Sequence, residues 1–406
     1  MKNINSSANQ LISTSSHHHI ITSAHQHIMK IIIDDKIPYI KGALEPFAEV
    51  IYLPGNKTTP EVVKDADAII TRTRTKCNEK LLAGSSVKFI ATATIGFDHI
   101  DTAYCDKAKI KWTNAPGCNS SSVEQYIASA LMALAEKKEI TLSEMTIGIV
   151  GVGNVGSKVA RIAEILGMKV LLNDPPRDRV ELLSDFVELD VILKEADIIT
   201  MHVPLNLEGI DKTYHIADES FFKKMKKKPL FINSCRGEVV KTVALKSALK
   251  SGLISGSVVD CWENEPDIDT KLLKFLDLGT PHIAGYSKDG KANGTSMSVQ
   301  AVSRFFGLGI DDWQCKNVEL PEVTEILLDG TGKSEQQILS EAILATYDIR
   351  KDDKRLRQSV ETFEKQRGDY PVRREFPAFD IKAINLNQGT IDKLMELGFN
   401  VTDGHS

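Results

Sequence analysis

The run TIGIVGVGNVGSKVARIAEILGMKVLLND, from Thr146 to Asp174, restricts what this chain can fold into more than any other part of it. Apolar residues Ile147 to Val150 lead into Gly151, Gly153 and Gly156 at G-x-G-x-x-G spacing, and a helical pattern follows. An ordinary tight strand-to-helix turn could carry that spacing by itself. Here a strand stands before it, a helix after it, and a second strand, KVLLND, ends in Asp174, which is the context of a dinucleotide-binding βαβ unit. Glycines let the backbone and the helix N-terminus approach a pyrophosphate. The turn residues Gly151, Gly153, Asn154, Val155 and Gly156 are therefore the expected cofactor contacts. A carboxylate at Asp174 accepts hydrogen bonds from a ribose and repels a 2'-phosphate, which favours NAD over NADP, with nearby Arg177 as the one reservation.

Around this unit, short apolar runs alternate with helix-length segments. KIIIDDKIP, DAIITRTRT and VKFIATATIGFDHI precede it, and ADIITMHVPL, PLFINSCRG, SGSVVDCWENEP and LGTPHIAGYS follow it. Such alternation predicts parallel sheets with crossover helices. A pattern from about Ser122 to Lys138, with Val123, Tyr126, Ile127, Ala130, Leu131 and Leu134 on one face, predicts an amphipathic helix connecting two domains.

Three later runs each deliver a chemically active residue just past a predicted strand: Arg236, Glu265 and His282. Ligands of open α/β sheets bind at the carboxyl ends of the strands. An arginine keeps its charge, so at the end of a buried strand it needs an anion. If that anion is a small acid's carboxylate, Arg236 can hold it with two hydrogen bonds. His282 can take the hydroxyl proton as hydride leaves the same carbon, and Glu265 can fix the imidazole tautomer. Each also has a plainer reading: a histidine after a strand can be a structural hydrogen bonder, and Arg236 can cap a helix or pair with Glu238. Order and convergence behind a dinucleotide fold favour the catalytic one, an NAD-dependent oxidation of a 2-hydroxy acid.

Composition excludes other classes. The 406 residues are 42% hydrophobic and 26% charged with a net charge of -5, which argues against a general nucleic-acid binder, and no apolar run reaches membrane-span length. The six cysteines, at 77, 105, 118, 235, 261 and 315, show no paired metal-ligand spacing, so no metal site is expected, and a reducing cytoplasm is the simplest home. Residues 1–28 form a Ser-, Asn- and Ile-rich leader holding His17, His18, His19, His25 and His27, expected to be disordered. The lysine run 223–228 reads as a solvated helix end.

From Met29 to about Ile310 the chain resembles the D-isomer-specific 2-hydroxyacid dehydrogenases, through the glycine turn, CRGEVV, DCWENEP and PHIAGYS. More narrowly, TATIGFDHID, NAPGCN, NDPPR, HIAGYSKDGKANGT, YDIRKDD and RGDYPVRREF resemble a branch acting on a phosphorylated four-carbon 2-hydroxy acid in pyridoxine 5'-phosphate (vitamin B6) synthesis. The resemblance implies a Rossmann-type NAD domain (121–284) inserted in a flavodoxin-like substrate domain (29–120, with a return segment 285–310). It also implies a C-terminal α+β dimerisation domain (311–406), hence a homodimer. Arg236, Glu265 and His282 are implied as catalytic. NAD would also meet Val203, Asp260 and Gly285, and substrate would meet Thr73, Thr94 and Tyr286. By itself, the pattern of the last 95 or so residues suits a regulatory module as well as a dimer interface.

Three positions depart from the family pattern: Val203 stands in place of Thr, Gln125 of Glu and Phe376 of Trp. A phosphorylated substrate needs further cations. Arg72, Arg74 and Lys76 alternate in TRTRTK and would share a face in a strand, with Arg72 the first candidate. Two other readings remain: a 3-phosphoglycerate dehydrogenase of serine synthesis, and a dinucleotide-sensing binding protein without turnover.

Overall fold

The computed structural model describes residues 28–181 and 185–403, so the leader, apart from Ile28, lies outside the described residues. Its first sheet contains β1 (Lys30–Asp34), β2 (Glu49–Leu53), β3 (Ala68–Thr71), β4 (Phe89–Thr92) and β5 (Lys111–Thr113), all parallel in the order β2-β1-β3-β4-β5. That is a flavodoxin-like order. The inner strands are continuous apolar runs because both faces are covered. Ile31, Ile33, Ala68 and Ile70 pack with Val299 and Val302 of a helix from much later in the chain, Lys288–Phe306. Ile32, Ile69 and Ile90 pack with Val63, Leu81 and Cys105 on the other face. The side-chain period of two thus assigns alternate residues of each strand to separate cores.

The second sheet contains β6 (Thr146–Val150), β7 (Lys169–Asn173), β8 (Ile198–Met201), β9 (Leu230–Asn233), β10 (Gly256–Val259) and β11 (Leu278–Gly279), parallel in the order β11-β10-β9-β8-β6-β7. Outside β7, a single bridge joins Leu172 to Phe186, and the Val187 amide donates to the Leu172 carbonyl at 2.7 Å. With that reduced strand counted third, the order becomes the dinucleotide-binding one, whose switch point lies between β6 and β8. A third sheet, β12 (Glu325–Asp329), β13 (Asp380–Ile384) and β14 (Asn400–Asp403), is parallel in the order β12-β13-β14.

Two expectations need correction. The segment TRTRT does not continue β3, which ends at Thr71. Thr75 is buried instead, its hydroxyl donating to the Gly55 carbonyl at 3.1 Å, and this pulls Arg72, Arg74 and Lys76 into a loop with no shared strand face. The connecting helix, Ser120–Lys138, is not amphipathic: every residue from Ser122 to Ala135 is buried. Its polar side chains are partners for the last quarter of the chain. Ser129 Oγ donates to the Tyr347 carbonyl at 2.8 Å, and Gln125 Nε2 to Thr346 Oγ1 at 3.1 Å and the Arg374 carbonyl at 2.9 Å. On another side Glu124 meets Arg161 at 2.7 Å. Burial raises the Glu124 carboxyl above its ordinary range, although Arg161 opposes this.

Candidate active site

The three glycines of the first βα turn have separate physical reasons. Gly151 takes φ +89°, and a Cβ there would lie 2.7 Å from the His202 carbonyl and 2.9 Å from Val203 Cγ1. A Cβ on Gly156 would drive into the Gly151 carbonyl, so helix Gly156–Ile165 can pack on β6 only without one. A Cβ on Gly153 would meet nothing within 4 Å. That position leaves open space for a close-approaching group, which is what a pyrophosphate at a helix N-terminus requires. The turn therefore fits a dinucleotide.

Asp174 stands just past β7. Its Oδ2 accepts from the Val152 amide at 2.8 Å, which ties it to the glycine turn. The reservation about Arg177 is answered by its partner, since its Nε and Nη2 donate to the two Glu181 oxygens at 2.6 and 2.7 Å. Asn154 packs near Gly117, where a Cβ would lie 2.9 Å from Asn154 Cγ.

Arg236, Glu265 and His282 follow β9, β10 and β11 respectively, on one edge of the sheet. His282 Nδ1 and Glu265 Oε2 are 2.7 Å apart, and Glu265 Oε1 accepts from the Trp262 amide at 2.8 Å. Burial pushes the Glu265 carboxyl up, but the His282 contact, the Trp262 amide and the charge of Arg367 bring it below its ordinary value. The carboxylate is thus ionised and held in place, and the second ring nitrogen of His282 is left for chemistry. Arg236 is half-buried; its Nη1 donates to the Cys235 carbonyl at 2.8 Å, and its side chain caps no helix. Among the described residues no carboxylate, Glu238 included, lies within ion-pair distance of it. A Cβ on Gly96, in the loop after β4, would be 3.8 Å from Arg236 Nη2, so this arginine reaches the first sheet.

On that side, Thr71 and Thr92 pair across β3 and β4, and Thr73 and Thr94 stand two residues beyond them on adjoining loops. Thr94 Oγ1 donates to the Gly96 carbonyl at 2.9 Å. Tyr286, four residues past His282, has Lys291 Nζ 5.1 Å and Arg367 Cζ 5.8 Å from its ring centre.

Asp260 faces inward. It is 1% exposed; Oδ1 accepts from Thr280 Oγ1 at 2.6 Å and the Ile283 amide at 2.8 Å, and Oδ2 from the Ala284 amide at 2.9 Å. Burial raises its carboxyl, and the His282 charge and these donors oppose that. It fixes the segment that carries His282 and Gly285. From the opposite side comes Arg373, a residue sequence reasoning missed. It is 4% exposed, and it donates to the Ile283 carbonyl at 3.3 Å, to Gln125 Oε1 at 2.9 Å and to the Ser122 carbonyl. Gln125, one of the departures from the family pattern, therefore meets Arg373 with a neutral acceptor. Glu375 Oε1 accepts from Ser122 Oγ at 2.8 Å and Ser287 Oγ at 2.9 Å, and Arg374 Nη2 meets Asp289 at 2.8 Å. The motif RGDYPVRREF was the available signal, but nothing in it says which helices it binds.

Cys261, Glu265 and His282 place possible metal-ligating atoms within 4.8 Å of one another. Burial, Asp260 and Glu265 together raise the Cys261 thiol well above its ordinary range. Within the cluster, Glu265 Oε2 and His282 Nδ1 already pair with each other at 2.7 Å.

Residues 121–284 match the family model described as D-isomer specific 2-hydroxyacid dehydrogenase, NAD binding domain, and residues 318–398 match a domain of unknown function, DUF3410. The chain is 56% identical over 354 residues to the erythronate-4-phosphate dehydrogenase of Bacteroides fragilis, covering 87% of this chain and 99% of that one. It is 40% identical over 379 residues to that of Escherichia coli O157:H7, covering 92% and 98%. Among solved structures it resembles the D-lactate dehydrogenase of Aquifex aeolicus complexed with NAD and lactic acid. That match has TM-score 0.56 and 29% identity, over 69% of this chain and 96% of the other.

Proposed function

Because the chain belongs to the erythronate-4-phosphate dehydrogenases, within the D-isomer-specific 2-hydroxyacid dehydrogenases, we propose that it oxidises 4-phospho-D-erythronate to (R)-3-hydroxy-2-oxo-4-phosphooxybutanoate in pyridoxine 5'-phosphate synthesis. The observation that carries the chemistry is the Glu265–His282 contact of 2.7 Å on the same sheet edge as Arg236, a cation without a carboxylate partner among the described residues.

NAD bound at the glycine turn would supply the hydride acceptor. Arg236 binds the substrate carboxylate and polarises the neighbouring carbon–oxygen bond. His282, its Nδ1 engaged by Glu265, takes the C2 hydroxyl proton on Nε2 as the C2 hydride departs, leaving a 2-oxo acid and an imidazolium facing a carboxylate. Thr73, Thr94 and Tyr286 are assigned to the substrate, with Arg72 at its phosphate. Gly151, Gly153, Asn154, Val155, Gly156, Asp174, Val203 and Gly285 are assigned to NAD. Asp260, also expected at NAD, suits a supporting role better, since it is 1% exposed and its oxygens accept from Thr280 and two backbone amides.

The domain reading is 29–120 with 285–310 for the substrate, 121–284 for NAD, and 311–406 for dimerisation. Supporting a homodimer, Leu320, Val323 and Leu327 are 59%, 64% and 63% exposed along one stretch that ends in edge strand β12. No described helix is long and apolar enough to cross a membrane, and a cytoplasmic location is part of the proposal.

The test is anaerobic mixing of the protein and NAD with 4-phospho-D-erythronate or 3-phospho-D-glycerate, following reduced nicotinamide. Turnover or a stoichiometric burst with the four-carbon acid alone supports the proposal. Preference for the three-carbon acid, or no reduction with either, overturns it.

A further inference from the structure

We infer that Lys291, at the start of helix Lys288–Phe306, holds the substrate's phosphate together with Arg72. The inference rests on the proposed function and adds a specificity residue to it.

Both cations sit at the ligand edge of the first sheet. Arg72 lies one residue past β3, and its Nη1 donates to the Lys36 carbonyl at 3.1 Å in the loop after β1. Thr295, one helical turn beyond Lys291, donates to the Pro38 carbonyl of the same loop at 2.9 Å. Gly294 packs so close to the end of β4 that a Cβ would lie 2.7 Å from the Ala93 carbonyl. These anchors fix the helix start across the ends of β1, β3 and β4, beside Thr94 and the loop that reaches Arg236.

The electrostatics are unfavourable without an anion. Lys291 is half-buried, stands in the first turn of a helix where the dipole disfavours a cation, and has no carboxylate within ion-pair distance among the described residues. Nearby acids are already committed: Asp289 to Arg374, and Glu319 to Lys288 at 2.6 Å. Burial, then the charges of Arg72 and Lys288, push the Lys291 ammonium below its ordinary range. A bound dianion supplies the counter-charge that Lys291 and Arg72 lack. Lys291 Nζ also lies 5.1 Å from the ring centre of Tyr286, which joins it to the His282 segment. One end of the acid would face Arg236 and the other Lys291 and Arg72. Arg367, on the same ring, meets Glu364 through Nη1 at 2.7 Å.

The experiment compares kcat/KM for 4-phospho-D-erythronate and for unphosphorylated D-erythronate in the native protein, Lys291→Gln, Lys291→Arg and Arg72→Gln, with competitive inhibition by inorganic phosphate measured in each. Lys291→Gln should cut the preference for the phosphorylated acid at least tenfold and weaken phosphate inhibition by a similar factor, and Lys291→Arg should restore part of both. An equal loss on the two acids, or phosphate inhibition unchanged in Lys291→Gln, overturns the inference. Failure of the native protein to oxidise 4-phospho-D-erythronate overturns the proposed function instead. A melting temperature for each variant separates loss of fold from loss of binding.

Discussion

Glu265 Oε2 and His282 Nδ1 stand 2.7 Å apart at the ends of different strand loops, with Glu265 also pinned by the Trp262 amide. A histidine held this way presents one nitrogen and one tautomer to substrate. Replacing His282 by Asn should lower kcat about 10²- to 10⁴-fold, the usual worth of a positioned acid-base. Glu265→Gln should cost less, roughly tenfold or more. NAD affinity, measured by fluorescence titration, should stay within about twofold in both, since neither residue touches the glycine turn.

Arg236→Lys keeps the charge and loses the planar pair of donors. Loss of one charge-assisted hydrogen bond is worth about 1.5–3 kcal/mol. Steady-state kinetics should show kcat/KM for the acid falling roughly 10- to 150-fold. An unchanged value would remove Arg236 from the carboxylate.

Gly153→Ala and Gly156→Ala should fail in different ways. The Gly153 position opens onto space within the fold, so its alanine should leave the melting temperature nearly unchanged and weaken NAD binding, because the added methyl stands where a pyrophosphate approaches. The Gly156 alanine collides with the Gly151 carbonyl and should unfold several degrees earlier. Calorimetry and NAD titration on both variants distinguish the two effects.

His202, just past β8, is pushed down to about 3 by desolvation, from an ordinary 6.5. The unfolded chain takes up that proton below pH 6.5 while the folded one does not until near pH 3. This histidine therefore contributes stability that is complete above 6.5 and lost as pH falls toward 3, at most about 1.4 kcal/mol per pH unit. Urea titrations from pH 7 to 5 should show a shallower decline for His202→Gln than for the native protein. Parallel declines would contradict the assignment.

β9 and β10, which precede Arg236 and Glu265, were legible because inner parallel strands read as unbroken apolar runs, while β11, before His282, is a two-residue edge strand. Of the strands that escaped notice, β2, β5 and β14 are edges, whereas β13 is the central strand of the third sheet. β2 and β5 are the two outer strands of the first sheet and only partly buried, β5 being just three residues long, and the strand at Phe186 is reduced to one bridge. TRTRT misled in the opposite direction, since β-favouring threonines were diverted by burial of Thr75. In the connecting helix, Gln125 and Ser129 imitated a solvent face while serving partners more than two hundred residues away. Arg373 and Lys291 were invisible for the same reason. A cation's role depends on which carbonyls and carboxylates the fold brings near it, and local spacing holds no record of that.

The tie between Arg373 and the Ile283 carbonyl also gives the order of synthesis a consequence. A nascent chain that has emerged through residue 310 already carries the glycine turn, Arg236, Glu265 and His282. It still lacks the arginine that braces the histidine segment and the glutamate that joins Ser122 to Ser287. During synthesis, Arg236, Glu265 and His282 therefore leave the ribosome before Arg373 and Glu375, the side chains that brace the histidine segment.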